Sequence, residues 1–112
     1  MKLDKELLKG AGETAVLAVV AEEPSHGYQL VRLLHRRSQG IFGLGEGTLY
    51  PLLYRMEAKG WIKGQWEAGD GDRHKRVYRV TARGRRQLAK RAEQWAGLAH
   101  GMALILGGPA HA

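Results

Sequence analysis

Between Arg73 and Arg91 the chain carries nine basic residues (Arg73, Lys75, Arg76, Arg79, Arg83, Arg85, Arg86, Lys90, Arg91) and no aspartate or glutamate. Lysine and arginine at that density attract polyanions, and nucleic acid or an anionic membrane surface are the usual ones. A solvated basic face on an ordinary soluble protein has the same composition, so charge alone does not choose between them. Over all 112 residues, 18 Lys and Arg stand against 11 Asp and Glu, a net charge of +7. Other chemistry is poorly supplied. The chain has no cysteine, which removes thiol nucleophiles, zinc ribbons and a disulfide scaffold. His26, His35, His74, His100 and His111 show no ligand spacing with one another or with carboxylates. No metal and no cofactor is therefore expected. Gly43-Leu44-Gly45-Glu46-Gly47-Thr48 resembles a phosphate loop, but it lacks the preceding strand and the lysine. No nucleophile–base pair can be named, so an enzyme is not expected.

The elements that must position the basic residues are legible in order. A chain of this length holds one modest core. Asp4 suits the cap of a first helix reaching about Ala21, whose apolar stretch Val16, Leu17, Val19, Val20 implies burial on more than one side. Gly10 and Gly12 predict a break or bend in its first half. After Glu22-Glu23-Pro24, Ser25 is placed to cap a second helix from His26 to about Ser38. Gly27, Leu30, Val31 and Leu34 mark its inward face, while Tyr28, Arg32, His35 and Arg36 point elsewhere. A glycine-rich connection with apolar anchors Ile41, Phe42 and Leu44 reads as a shaped loop.

A third helix ends at Lys59-Gly60 and starts between Gly45 and Thr48, with Pro51 arguing for a start near Thr48. Leu49, Leu52, Leu53 and Met56 form its buried stripe, and Gly47, Tyr50, Pro51, Tyr54 and Ala58 fan around the other side. Two strands follow, Trp61 to Glu67 and Arg76 to Thr81, joined by an Asp-Gly hairpin signal in residues 68–72. Thr81 then caps a long last helix ending near Leu106, before Gly107-Gly108-Pro109. Its apolar residues Leu88, Ala92, Trp95, Ala99, Met102 and Leu106 make a heptad seam, the mark of a helix that packs on another helix. The start of the chain has no apolar signal core, and the longest clean apolar run, Ala15 to Ala21, is too short to span a bilayer. A cytoplasmic protein is expected, with no membrane role.

Three helices followed by a hairpin is the winged helix-turn-helix order, in which the third helix enters the major groove and the hairpin grips the flanking backbone. The fold class is thus mainly α with a two-stranded β-hairpin and a long C-terminal helix. Residues 1–81 make the DNA-binding domain, 82–108 the C-terminal dimerisation helix and 109–112 a loose tail. The residues also carry a family likeness. His26-Gly27-Tyr28-Gln29-Leu30, the run Gly47-Thr48-Leu49-Tyr50-Pro51-Leu52-Leu53-Tyr54-Arg55-Met56-Glu57, Lys59-Gly60-Trp61-Ile62 and Arg76-Val77-Tyr78-Arg79-Val80-Thr81-Ala82-Arg83-Gly84 resemble the PadR family of transcriptional regulators. The resemblance spans about residues 6 to 106 and implies a homodimeric repressor of the short subtype. Two positions depart from the pattern: Glu46 where the family often has proline, and Val77 where it has the first of two aromatics. Glu46 has three readings, favouring the helix dipole, accepting from a cytosine amino group, or turning away.

On this reading Gly47, Thr48, Tyr50, Tyr54 and Arg55 face the groove. Arg73, His74, Lys75 and Arg76 lie along phosphates or reach into the minor groove. Tyr28 either joins the groove contacts or wedges the helix pair. Arg83, Arg85 and Arg86 belong either to that face or only to the exposed start of the last helix. Leu88, Ala92, Trp95, Ala99, Met102 and Leu106, with Leu7 and Leu8 of the first helix, form a dimer interface. Trp95 there is either interface packing or, as the resemblance implies, a platform for a planar hydrophobic small-molecule effector. Two recognition helices would lie about 34 Å apart, on a near-palindromic operator in double-stranded DNA. The competing expectation is a winged-helix protein–protein interaction module within a larger assembly.

Overall fold

Asp4 caps α1 (Lys5–Glu22), its carboxylate accepting from the Leu7 amide at 3.1 Å. Val16, Leu17, Val19 and Val20 are all buried, so α1 is covered on more than one side. The expected break at Gly10 and Gly12 is absent, and the helix is continuous. Gly12 serves packing: a Cβ there would stand 3.3 Å from a methyl of Leu52, so the bare backbone lets the third helix lie close. The computed structural model describes residues 3–68 and 74–107.

Ser25 does not cap the second helix. With His26 it forms a two-residue strand, β1 (Ser25–His26), paired antiparallel with β3 (His74–Val80) through Ser25↔Tyr78 and His26↔Val77. Pairing holds the backbone extended through residue 26, so α2 (Gly27–Arg37) starts one residue late. His26 takes over the cap, its Nδ1 accepting from the Gln29 amide at 3.2 Å. The buried Ser25 hydroxyl donates instead to the Glu23 carbonyl. After α2, the Ser38 hydroxyl donates to the Leu34 carbonyl and accepts from the Phe42 amide, and Leu44 is buried. The connection is shaped, as its apolar anchors predict.

The third helix, α3 (Glu46–Ala58), begins earlier than Pro51 suggests, with Gly45 at its cap. Pro51 withholds one amide from the Gly47 carbonyl, but Gly47 is exposed and water can satisfy that carbonyl. Leu49, Leu52, Leu53 and Met56 are buried. Gly60 has φ +78°, the left-handed turn that lets the chain leave α3. The hairpin strands β2 (Ile62–Ala68) and β3 pair antiparallel from Ile62↔Val80 to Ala68↔His74. With β1 the sheet has three strands, in the order β1-β3-β2, rather than the two expected. The Asp-Gly turn signal and Arg73 lie outside the described residues.

The last helix, α4 (Ala82–Leu106), is capped by Thr81, whose hydroxyl accepts from the Gly84 amide at 3.0 Å and donates to the Gly60 carbonyl at 2.6 Å. Gly84 is buried against the Trp61 carbonyl oxygen, so closely that a Cβ there would collide with it. A second cluster sets the direction of α4. Trp61 has two cations over its ring, with Lys59 Nζ 4.6 Å and Arg91 Cζ 4.8 Å from its centroid. The buried Glu13 of α1 reaches both, at 3.4 Å to Lys59 and 3.8 Å to Arg91. Beyond Arg91 the stripe that begins with half-buried Leu88 runs into the open, where Trp95, Leu98, Met102, Ile105 and Leu106 are all exposed. Among the described residues no helix is long and apolar enough to cross a membrane.

Gly84→Ala must push α4 off the Trp61 carbonyl, and should cost about 1–3 kcal/mol in chemical denaturation. Gly97→Ala, where a Cβ meets nothing, should instead stabilise by about 0.5–1 kcal/mol through helix propensity.

Candidate nucleic-acid interface

The outward face of α3 carries Gly47, Thr48, Tyr50, Pro51, Tyr54 and Arg55, all exposed. Tyr54 stands free at 77% exposure, whereas Tyr50 is held. Its ring and hydroxyl lie where a Cβ of Gly27 would be, at 2.5–2.9 Å, so only glycine at the start of α2 admits it. Tyr28 is exposed beside this pair, with the Arg32 guanidinium 5.9 Å from its ring centroid. It is an outer wall of the site and not a buried wedge between helices. Glu46 is exposed in the first turn of α3, where a carboxylate favours the helix dipole.

Between α2, α3 and the hairpin lies a cleft of about 720 Å³, lined by His26, Gly27, Tyr28, Tyr50, Trp66, Lys75, Arg76 and Tyr78. A second hollow of about 750 Å³ continues along α3 past Pro51, Tyr54, Glu57 and Ala58. Tyr50, Arg76 and Tyr78 line both, so they divide one trough that runs between helix and hairpin.

Arg76 is not the free cation its sequence context suggests. Its Nη2 lies 2.6 Å from Oε2 of Glu57 on α3, and its guanidinium is 5.6 Å from the Trp66 ring centroid and 5.8 Å from that of Tyr78. The Gly64 amide donates to the same Glu57 oxygen at 3.1 Å. Strand register places Trp66 opposite Arg76 and Gly64 opposite Tyr78. A Cβ on Gly64 would sit 2.5 Å from Arg76 Nε, so the glycine makes the space the guanidinium fills. The hydrogen bond from Arg76, helped by the Gly64 amide, holds the Glu57 carboxyl below the usual carboxylate range despite partial burial. The same bond raises Arg76, and burial pushes the Tyr78 phenol up.

The remaining basic residues divide in the same way. Arg79 pairs with Glu67 at 2.9 Å and Arg91 faces Glu13. The acids missing between Arg73 and Arg91 are thus supplied by other elements. Lys75 lines the cleft and is exposed, while Arg83, Arg85 and Arg86 are exposed on the first turns of α4. His74 opens β3, but its side chain lies outside the described ones. Glu57, Gly64, Trp66 and Tyr78 are site residues that sequence reading missed. Only Glu57 had a signal, since seven positions after Tyr50 it shares that residue's helix face. At the other end of the molecule, Leu8 and Leu88 pack against the core, while Leu7, Trp95 and Met102 are exposed. Ala92, Ala99 and Leu106 are exposed on the same open stretch of α4.

The sequence and the fold are similar to those of known proteins. The PadR-like family of transcriptional regulators is matched over residues 16–90, well over half of the chain. The chain belongs to that family. A transcriptional regulator of Mycobacterium tuberculosis is 34% identical over 107 residues, covering 96% of this chain and 94% of that protein. Among solved structures, a PadR-family regulator from Eggerthella lenta is similar at 36% identity with a TM-score of 0.78, covering 90% of this chain and 86% of that one. A PadR-like regulator from Bacillus cereus is similar at 28% identity with a TM-score of 0.80, over 94% of this chain and all of that one. These matches make this PadR-family chain a transcriptional regulator with the winged-helix fold and a long C-terminal helix.

His26 adds a pH dependence to the interface. Burial, then the Lys75 charge, lowers its imidazole below the ordinary 6.5, and its Nδ1 must stay unprotonated to cap α2. A depressed folded value means the contribution is present above 6.5 and lost as pH falls. His26→Asn keeps a capping acceptor without titrating. Urea melts from pH 8 to 5 should show the wild type losing stability against His26→Asn below pH 6.5. Parallel curves would contradict this.

Proposed function

We propose that the chain is a sequence-specific DNA-binding repressor that acts as a homodimer and is relieved by a small-molecule effector. The observation that carries the reading is the trough between α3 and the hairpin. One wall presents Tyr50 and Tyr54, with Thr48 exposed further round the same helix, and the other carries Lys75 beside stacked Arg76. In a winged helix this geometry straddles one DNA strand, with α3 in the major groove and the hairpin on the flanking backbone. Base edges are then read by Thr48, Tyr50, Tyr54 and Arg55, with Gly47 allowing close approach of the α3 N-terminus. Phosphate contacts fall to Lys75, and to His74 and Arg73, which precede it in sequence.

The open stripe on α4 supports the dimer. Six large apolar side chains between Trp95 and Leu106 (Trp95, Leu98, Met102, Leu104, Ile105, Leu106) are exposed, more than a lone helix end presents to water without a partner. Two copies joined there set both recognition helices at once, which a near-palindromic operator requires. An effector that changed the angle between them would release DNA, because both half-sites must be met together. Trp95, half exposed on that stripe, is the residue on which a planar hydrophobic effector would stack.

Fluorescence anisotropy with the promoter duplex upstream of its own gene, against a scrambled duplex at equal salt, tests the reading. Preference for the promoter and a steep fall of affinity with salt are expected. Lys75→Ala should weaken both duplexes alike and lower the salt slope by about 1, whereas Tyr54→Ala should mainly lower the preference. Identical behaviour of the two variants would contradict this division of roles.

Met102→Glu should shift the chain to monomer in sedimentation and abolish promoter preference. A wild type that sediments as a monomer at micromolar concentration would contradict the dimer.

A further inference from the structure

We propose that Glu57 is a specificity-determining positioning residue, holding Arg76 as a fixed strut between recognition helix and wing and withdrawing its charge from non-specific phosphate binding. The inference rests on the DNA-binding reading above and adds a residue with no contact to DNA of its own. Glu57 sits on α3, on the same face as Tyr50, and its single oxygen Oε2 takes both the Gly64 amide of β2 and the Arg76 guanidinium of β3. One carboxylate therefore ties both strands of the hairpin to the helix. Arg76 is closed in from the other sides by Trp66 and Tyr78, over the gap left by Gly64. A planar guanidinium fits such a slot, and a lysine would not.

The charge consequence follows from position. Arg76 lines both halves of the trough, where a DNA backbone would run. An unpaired arginine there would add a cation that binds any sequence equally, and each neutralised phosphate steepens the salt dependence by about 0.9. Paired with Glu57, Arg76 contributes shape in place of free charge. In a chain of net charge +7 non-specific binding is already strong. Discrimination then depends on how rigidly the wing is indexed to α3.

The test uses the full chain, the promoter duplex upstream of its own gene and a scrambled duplex, with anisotropy read between 50 and 200 mM salt. Glu57→Gln keeps the shape and an acceptor for the Gly64 amide while loosening Arg76. It should bind scrambled DNA more tightly, with a slope steeper by about 0.9, and lose about tenfold in promoter preference, the cost of one misplaced recognition contact. Arg76→Gln should lose a similar preference and, by leaving the Glu57 carboxylate unpaired in the trough, bind scrambled DNA more weakly than the wild type. Glu57→Gln/Arg76→Gln should return the slope to the wild-type value without restoring preference. Thermal melts identify any variant that fails to fold, in which case the remaining two decide. A slope about 0.9 below the wild type in Glu57→Gln/Arg76→Gln would make Arg76 a direct phosphate contact and overturn the proposal. So would unchanged preference in both single variants. A wild type with no promoter preference would instead remove the DNA-binding reading, and this inference with it.

Discussion

The structure depends on one shared carboxylate oxygen. A two-stranded ribbon is barely stable alone in water, and a winged helix works only if its ribbon keeps a fixed place relative to the recognition helix. Oε2 of Glu57 meets that need by accepting from Gly64 at 3.1 Å and from Arg76 at 2.6 Å. The two bonds are charge-assisted and partly shielded, so they outweigh the exposed pair Arg79–Glu67 further out on the hairpin. β1 adds a second restraint by pairing Ser25 and His26 to the far side of β3. Helix, ribbon and the start of α2 are thus joined, with Tyr50 seated on Gly27 where the three meet.

A second cluster ties these elements to α4. Glu13, Lys59 and Arg91 surround Trp61, joining α1, the end of α3, the entry to β2 and the first half of α4. Gly84 lets α4 start in contact with the Trp61 carbonyl. Any tilt of α4 therefore reaches the end of α3 through packed side chains and not through a loose linker. Such a link gives the α4 stripe a packed route to the recognition helix.

Local periodicity made much of this legible in the sequence. The buried stripe of α3 follows from residues three and four apart and the Thr81 cap from its side chain, and the structure has both. Of the α4 seam only Leu88 packs on the core, and the rest lies exposed. What stayed hidden depends on distant pairing. A two-residue strand such as Ser25–His26 has no period to detect, so a good capping serine was given the wrong task. Pro51 misled because the penalty of a proline falls away where the unpaired carbonyl belongs to exposed Gly47. Arg76 looked like one more cation in a basic run because its partner is 19 residues earlier, on another element. The same holds for Arg91 and Glu13. Among the described residues of this acid-free run, Arg76, Arg79 and Arg91 are ion-paired in space, while Lys75, Arg83, Arg85, Arg86 and Lys90 have no carboxylate partner among the described residues.

The most direct measurement is an NMR pH titration of the Gly64 amide proton in the free protein, since that proton reports the charge on the Glu57 carboxylate it is bonded to. The account predicts a downfield amide whose shift follows a single titration with a midpoint below 4.5, the ordinary value for glutamate. Replacing Arg76 by Gln should move that midpoint upward. A Gly64 amide that does not titrate, or one with a midpoint at or above 4.5, would show that helix and wing are not joined through Glu57.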